Sequence, residues 1–147
     1  MRVEPRFREQ ISCLVRKVRR AKALDQALSP EDRVAFNDFL VSVVAVLLSP
    51  RLGERCGVGE LAAFSSEVAH RHRAEGRPVN DFVVEEVLRR VHGVPTLFCS
   101  RPVPEYAVSA AGGAVVRYVN NTDPAVATDI DRLLDAAEEL HRRRTGR

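Results

Sequence analysis

The run FLVSVVAVLL at positions 39–48 constrains the fold of this chain more than any other feature. It continues a predicted helix whose start is marked by Ser29, Pro30 and Asp32, a capping serine followed by a proline and an acid in the first turn. A helix that is apolar all round is covered by protein on every side. Ten residues are about half of what a membrane span needs. The run therefore predicts the central helix of a core.

The composition is that of one globular domain. The 147 residues are 45% apolar and 29% charged, which predicts a single domain over 1–147 with no membrane segment. Cys13, Cys56 and Cys99 form no CxxC pair, so we expect neither a disulfide framework nor a metal site. MRVEPRFREQ is charged throughout and does not resemble an export signal. We expect a cytoplasmic protein.

Two amphipathic helices are predicted at the ends of the chain. The first ends near Leu28 and forms, with the apolar helix, an N-terminal helical pair over 1–50; the other occupies 123–147. Residues 1–28 carry a net charge of +5 and residues 123–140 a net charge of −5. Opposite charges beside apolar seams favour pairing of the two helices, within one chain or across a homodimer, which we predict. The seam residues are Phe7, Ile11, Leu14, Val18, Ile130, Leu133, Ala137 and Leu140.

Residues 58–119 contain a predicted helix-turn-helix, with helices at about 59–75 and 80–93. The runs EYAVSA and AVVRYV then flank Gly112-Gly113. Because β-branched runs around a two-glycine turn are typical of a hairpin, we expect a β-hairpin at about 105–119. The predicted fold is mainly α with this small β-hairpin, a winged-helix-like helix-turn-helix flanked by N- and C-terminal amphipathic helices.

This order of elements resembles the general plan of MarR-type winged-helix regulators. The resemblance implies a dimeric transcriptional regulator whose second motif helix lies in the major groove of double-stranded DNA. The leading end of that helix is acidic, so no base-reading residue is nominated. The predicted outward positions are Asp81, Glu85, Glu86, Arg89, Arg90 and His92.

Clustered cations outside that helix are the predicted contacts to phosphate. Those at the turn and on the wing are Arg71, Arg73, Arg77 and Arg117. A further basic patch in RKVRRAK consists of Arg16, Lys17, Arg19, Arg20 and Lys22. Such a charge run is also typical of a solvated helix face.

Two other functions fit the same features. The chain could be a helical module that binds a partner protein through its acidic fourth helix, or an accessory domain of a replication or partition machine. Catalysis is not expected, and neither is a cofactor: His70 and His72 are two residues apart and diverge on a helix, as do the adjacent acids Glu85 and Glu86. We predict that the histidines are surface or cap groups.

Overall fold

The computed structural model describes residues 3–53, 56–98 and 101–146, and every regular element in these ranges is helical. The mainly helical fold is therefore confirmed. Cys99 lies outside the described residues, and Cys13 and Cys56 are free thiols. The eight helices of the described residues are α1 (Pro5–Val15), α2 (Arg20–Gln26), α3 (Pro30–Leu48), α4 (Val58–Ala74), α5 (Asp81–His92), α6 (Glu105–Thr122), α7 (Ala125–Thr128) and α8 (Ile130–Thr145).

Helix α3 is the centre of the fold, as its sequence predicts. The Ser29 hydroxyl accepts a hydrogen bond from the Asp32 amide at 3.1 Å, and the Asp32 carboxylate accepts one from the Ser29 amide. Beyond this cap, Phe39 and Val44 are fully buried, because α5, α6 and α8 all pack against α3. None of the helices in the described ranges has the length and apolar character that crossing a membrane demands.

The predicted β-hairpin at 105–119 is wrong, and with it the wing: these residues belong to α6. Val108, Ala111, Val115 and Val119 recur at spacings of three and four, which is one face of a helix, and all four are buried. A Cβ atom at Gly112 would lie 2.5 Å from Cδ2 of Leu40. That glycine therefore allows α6 to approach α3 closely and forms no turn.

The N-terminal helix does not continue to Leu28 as predicted, because α1 ends and α2 begins within the basic run. The Lys17 amide donates to the Leu14 carbonyl at 3.2 Å, and the Val18 amide donates to the Cys13 carbonyl at 2.9 Å. This pair of bonds is a Schellman turn. Lys17 occupies its left-handed position, with φ of 59°, and Val18 is 46% exposed and drops out of the seam.

The two predicted seams pair within one chain, since α1 packs against α8. The Arg8 guanidinium donates to the Asp135 carboxylate at 2.8 Å and to that of Glu138 at 3.1 Å. This is the expected attraction between a basic first helix and an acidic last one. Dimerisation stays a prediction, because nothing in a single chain tests it. Most of the seam is already used in packing inside the chain. Phe7, Ile11, Ile130 and Ala137 are buried, and Leu14, Leu133 and Leu140 are half-buried.

The helical pair α4 and α5 forms where the sequence predicts it. The Asn80 side chain accepts from the Phe82 amide at 2.9 Å, and Gly93 ends α5 with φ of 66°. The predicted outward position of Glu85 and Glu86 is wrong, because both are buried. Glu85 accepts from the Arg89 guanidinium at 2.8 Å, and Glu86 accepts from the Thr96 hydroxyl.

Candidate anion-binding groove

A groove opens where α1 and α2 face α6 and the end of α4. It consists of two adjoining cavities of about 550 and 580 Å³, which we name the apolar lobe and the basic lobe. Cavities of this size suit small ligands. Five residues line both lobes and form their shared wall: Leu14, Ala21, Lys22, Arg77 and Arg117.

Small side chains on α6 leave room for the apolar lobe. Tyr106, Ala110, Gly113 and Arg117 recur at spacings of four, three and four, so one stripe of the helix faces the groove. A Cβ atom at Gly113 would meet nothing nearer than Cδ2 of Leu14, at 3.8 Å. The rest of the apolar lining comes from Ile11, Leu14, Phe36 and Leu40.

A hydrogen-bonded cluster, which we name the polar end, closes the apolar lobe near Ser109. The Arg33 guanidinium donates to the Asp25 carboxylate at 2.9 Å and to the Ser109 hydroxyl at 3.0 Å. The Gln10 amide donates to the same carboxylate oxygen of Asp25 at 3.3 Å. Ser109 in turn donates to the side-chain carbonyl of Asn37 at 2.7 Å. Most of this cluster is thus held in place before any ligand arrives.

The basic lobe gathers cations from three separate segments. No carboxylate in the described ranges forms an ion pair with any of them, and Glu75 is the acid in the lining. An excess of unpaired positive charge in a concave site attracts anions. The cations are Lys17, Arg19, Lys22, Arg77 and Arg117.

Arg117 has the least favourable surroundings of these cations. Burial lowers the pKa of its guanidinium, and the neighbouring charge of Arg77 lowers that pKa further. Like charges repel, and water screens the repulsion less where one of the two groups is partly buried, as Arg117 is. An anion bonded to both guanidinium groups would remove that repulsion and complete their hydrogen bonding.

His72 lies in the lining of the apolar lobe and is 3% exposed. Its Nδ1 is 3.0 Å from the Val68 carbonyl oxygen. This contact needs a proton on Nδ1, so in the neutral form of the ring Nε2 is an acceptor, and Nε2 has no partner among the described residues. The prediction that every histidine is a surface or cap group is wrong for His72 and also for the buried His141. The four-residue spacing from Val68 placed His72 on the inward stripe of α4 and could have revealed it.

The structure brings part of both predicted cationic sets together. Lys17, Arg19 and Lys22 of the basic run line the same lobe as Arg77 and Arg117, although they come from three separate segments of the chain. The remaining predicted cations do not line the groove: Arg16 and Arg73 are exposed, Arg71 lies 3.9 Å from Glu67, and Arg20 bonds Glu9.

Sequence reasoning missed the polar residues of the apolar lobe, which come from five helices that only the fold brings together. They are Gln10, Asp25, Arg33, Ser109 and His72. No set of three His, Cys, Asp or Glu side chains in the described part of the chain could hold a metal ion. Comparison of the chain with protein-family models, curated proteins and solved structures found no match.

Proposed function

We propose that the chain binds a small phosphate-bearing ligand in the groove, with Arg77 and Arg117 contacting the phosphate. The observation that carries this proposal is a pair of guanidinium groups in the wall shared by two cavities, neither of which has a carboxylate partner among the described residues. Guanidinium groups match phosphate oxygens with paired hydrogen bonds. The surrounding lysines favour an anion with more than one negative charge.

The backbone at Lys17 supports the same assignment. A residue with a side chain in the left-handed region costs about 1–2 kcal/mol, and glycine is the usual residue at this position of a Schellman turn. The equivalent turn at the end of α4 does use glycine, Gly76. Strained residues cluster at functional sites, and Lys17 lines the basic lobe.

We propose binding and not catalysis. Asp25, which could otherwise act as a base in the apolar lobe, already accepts from Arg33 and Gln10. His72 donates through Nδ1 to a backbone carbonyl and has no carboxylate behind it in the described residues, so the arrangement of an activated nucleophile is not assembled.

Nucleic acid remains the competing ligand, because the sequence predicts phosphate contacts by some of the same cations. A duplex presents its phosphates on a convex surface and would leave the apolar lobe empty. Because the predicted wing does not form, the described residues also contain no β-hairpin that could contact DNA beside the helix pair α4 and α5. A small ligand uses both lobes, whereas a duplex uses the exposed cations alone.

The test is a titration of the full chain with inorganic phosphate at constant ionic strength, followed by NMR of the arginine side chains. We expect Arg117→Gln to weaken binding at least tenfold, because hydrogen bonds to charged groups are worth about 1.5–3 kcal/mol. The matched control is Arg73→Gln, which removes an exposed arginine outside the groove and should leave the affinity unchanged.

Two results would overturn the phosphate site: no response at Arg117, or equal losses in both variants. Duplex DNA titrated at two salt concentrations gives the alternative its own readout. Salt-sensitive DNA binding that Arg73→Gln and Arg117→Gln weaken equally would replace the small-ligand function with the nucleic-acid function.

A further inference from the structure

The two ends of the apolar lobe have different chemistry and a fixed separation. Ser109, at the polar end, and Arg117, at the cation pair, are eight residues apart on α6, which is about 12 Å along the helix axis. A ligand that satisfies both ends must therefore be extended and polar at each end, with a phosphate at one of them.

The middle of the lobe admits a flat group. The lining combines the small residues Ala110, Gly113 and Ala114 of α6 with Phe36 and Leu40 of α3. Because Leu40 packs on α6, these residues form one apolar floor. A plain hydrocarbon tail would fit on this floor but not beyond it, because it would strip water from Asp25 and Arg33 without replacing the lost hydrogen bonds. The far end of the ligand must instead carry hydrogen-bonding atoms.

The lobe offers two acceptors that a donor on the ligand can reach or complete. Both bonds to the Asp25 carboxylate use the same oxygen, Oδ1, and no described residue donates to Oδ2. Nε2 of His72 is also an acceptor without a partner in the described part of the chain. Amino and hydroxyl groups on the ligand would satisfy these two atoms.

We propose, on the basis of the phosphate site argued above, that the ligand is a nucleoside monophosphate whose base carries an amino group. The phosphate binds Arg77 and Arg117, a ribose hydroxyl donates to Nε2 of His72, and the base lies on the apolar floor. The amino group at the edge of the base donates to Asp25. A mononucleotide combines these groups in the order in which the groove presents their partners.

The experiment is calorimetry of the full chain with inorganic phosphate, ribose 5-phosphate and the adenosine, guanosine, cytidine and uridine monophosphates. At least one amino-bearing nucleotide should bind ten times tighter than ribose 5-phosphate. Uridine monophosphate keeps the contact of the base with the apolar floor but lacks the amino group, so it should bind at least tenfold less tightly than the tightest amino-bearing nucleotide. A short oligonucleotide with a 5′-phosphate shows whether the nucleotide is free or is the end of a strand.

The outcomes separate the two proposals. If phosphate binds but no amino-bearing nucleotide exceeds both ribose 5-phosphate and uridine monophosphate, the nucleotide assignment is overturned and the phosphate site stands. If neither phosphate nor any nucleotide binds, both are overturned.

Variants of the lobe provide a second readout. Gly113→Leu fills the apolar lobe and should remove the tenfold gain of the nucleotide while phosphate still binds, and Ala110→Leu on the same stripe should do the same. The matched control is Ala136→Leu, at an exposed position of α8, which should keep the gain. A nucleotide that binds both lobe variants as tightly as the unchanged protein would overturn the assignment.

Discussion

The two faces of α6 differ in their residue types and in their burial. The packed face, formed by Val108, Ala111, Gly112, Val115 and Val119, is buried against the rest of the core. The groove face has small or charged residues and remains open, with Arg117 half-buried at its end. One helix thus stabilises the fold through its packed face and presents the ligand site on its groove face.

Adjacent glycines show how sharply the two faces differ. A Cβ atom at Gly112 would overlap Leu40, with 2.5 Å to Cδ2 and 3.0 Å to Cγ. A Cβ atom at Gly113 would be in ordinary contact with Leu14, at 3.8 Å. Position 112 therefore requires glycine for close packing, whereas position 113 only leaves a space unfilled. The same residue type has a structural role on one face and leaves room for a ligand on the other.

The largest effect is expected on the packed face, from Gly112→Ala. Overpacking a core costs about 1–3 kcal/mol, and alanine returns only about 0.5–1 kcal/mol through its preference for helices. We expect a net loss of roughly 1–2 kcal/mol in the free energy of unfolding, measured by urea denaturation.

Leu40→Ala in the same chain provides the control, because it removes the atoms that the new methyl group would meet. The double variant should lose less stability than the sum of the two single changes. Strict additivity of the two changes would show that contact with Leu40 is not the reason that position 112 requires glycine.

An intermediate effect of opposite sign is expected at the edge of the groove, from Lys17→Gly. Glycine relieves the left-handed backbone at this position, so stability should rise by about 1 kcal/mol, while affinity for phosphate should fall with the loss of a cation. Thermal melting and phosphate titration measure the two quantities separately.

Gly76→Ala is the matched control, since Gly76 has φ of 73° in the equivalent turn at the end of α4. That change should lower stability by a similar amount. A Lys17→Gly variant that is more stable and binds phosphate as tightly as the unchanged protein would show that Lys17 has no role in the phosphate site.

Local patterns predicted the parts of the fold that depend on local chemistry. The cap at Ser29, the cap at Asn80 and the left-handed end at Gly93 all form as the sequence indicates. The hairpin prediction is wrong because one segment fits two patterns. Gly112-Gly113 between β-branched runs is typical of a turn, whereas the valines recur at the spacing of a helix. Close contact with Leu40, a residue distant in sequence, explains the glycine at 112.

The sequence predicts only some residues of the groove, because the others are brought together by contacts between distant segments. Clustering in the sequence predicts the basic run and the arginines near the turn, whereas Arg117 is predicted from a wing that does not form. That Arg77 and Arg117 line one lobe with Lys17 and Lys22 depends on the fold. Nothing local indicates that α1 ends at Lys17, because the left-handed position there carries no glycine. The polar end depends on contacts such as that of Arg33 with Ser109, 76 residues apart, which no local pattern contains.

The smallest effect is expected on the groove face, from Gly113→Ala. The methyl group fits without displacing Leu14, and alanine restricts the unfolded chain more than glycine does. Stability should therefore rise by about 0.5–1 kcal/mol, measured in the same urea series as Gly112→Ala. Alanine still leaves most of the apolar lobe open, so phosphate should bind as before. A loss of stability at position 113 would mean that this face is packed as tightly as its neighbour, and the division of α6 into a structural face and a binding face would fail.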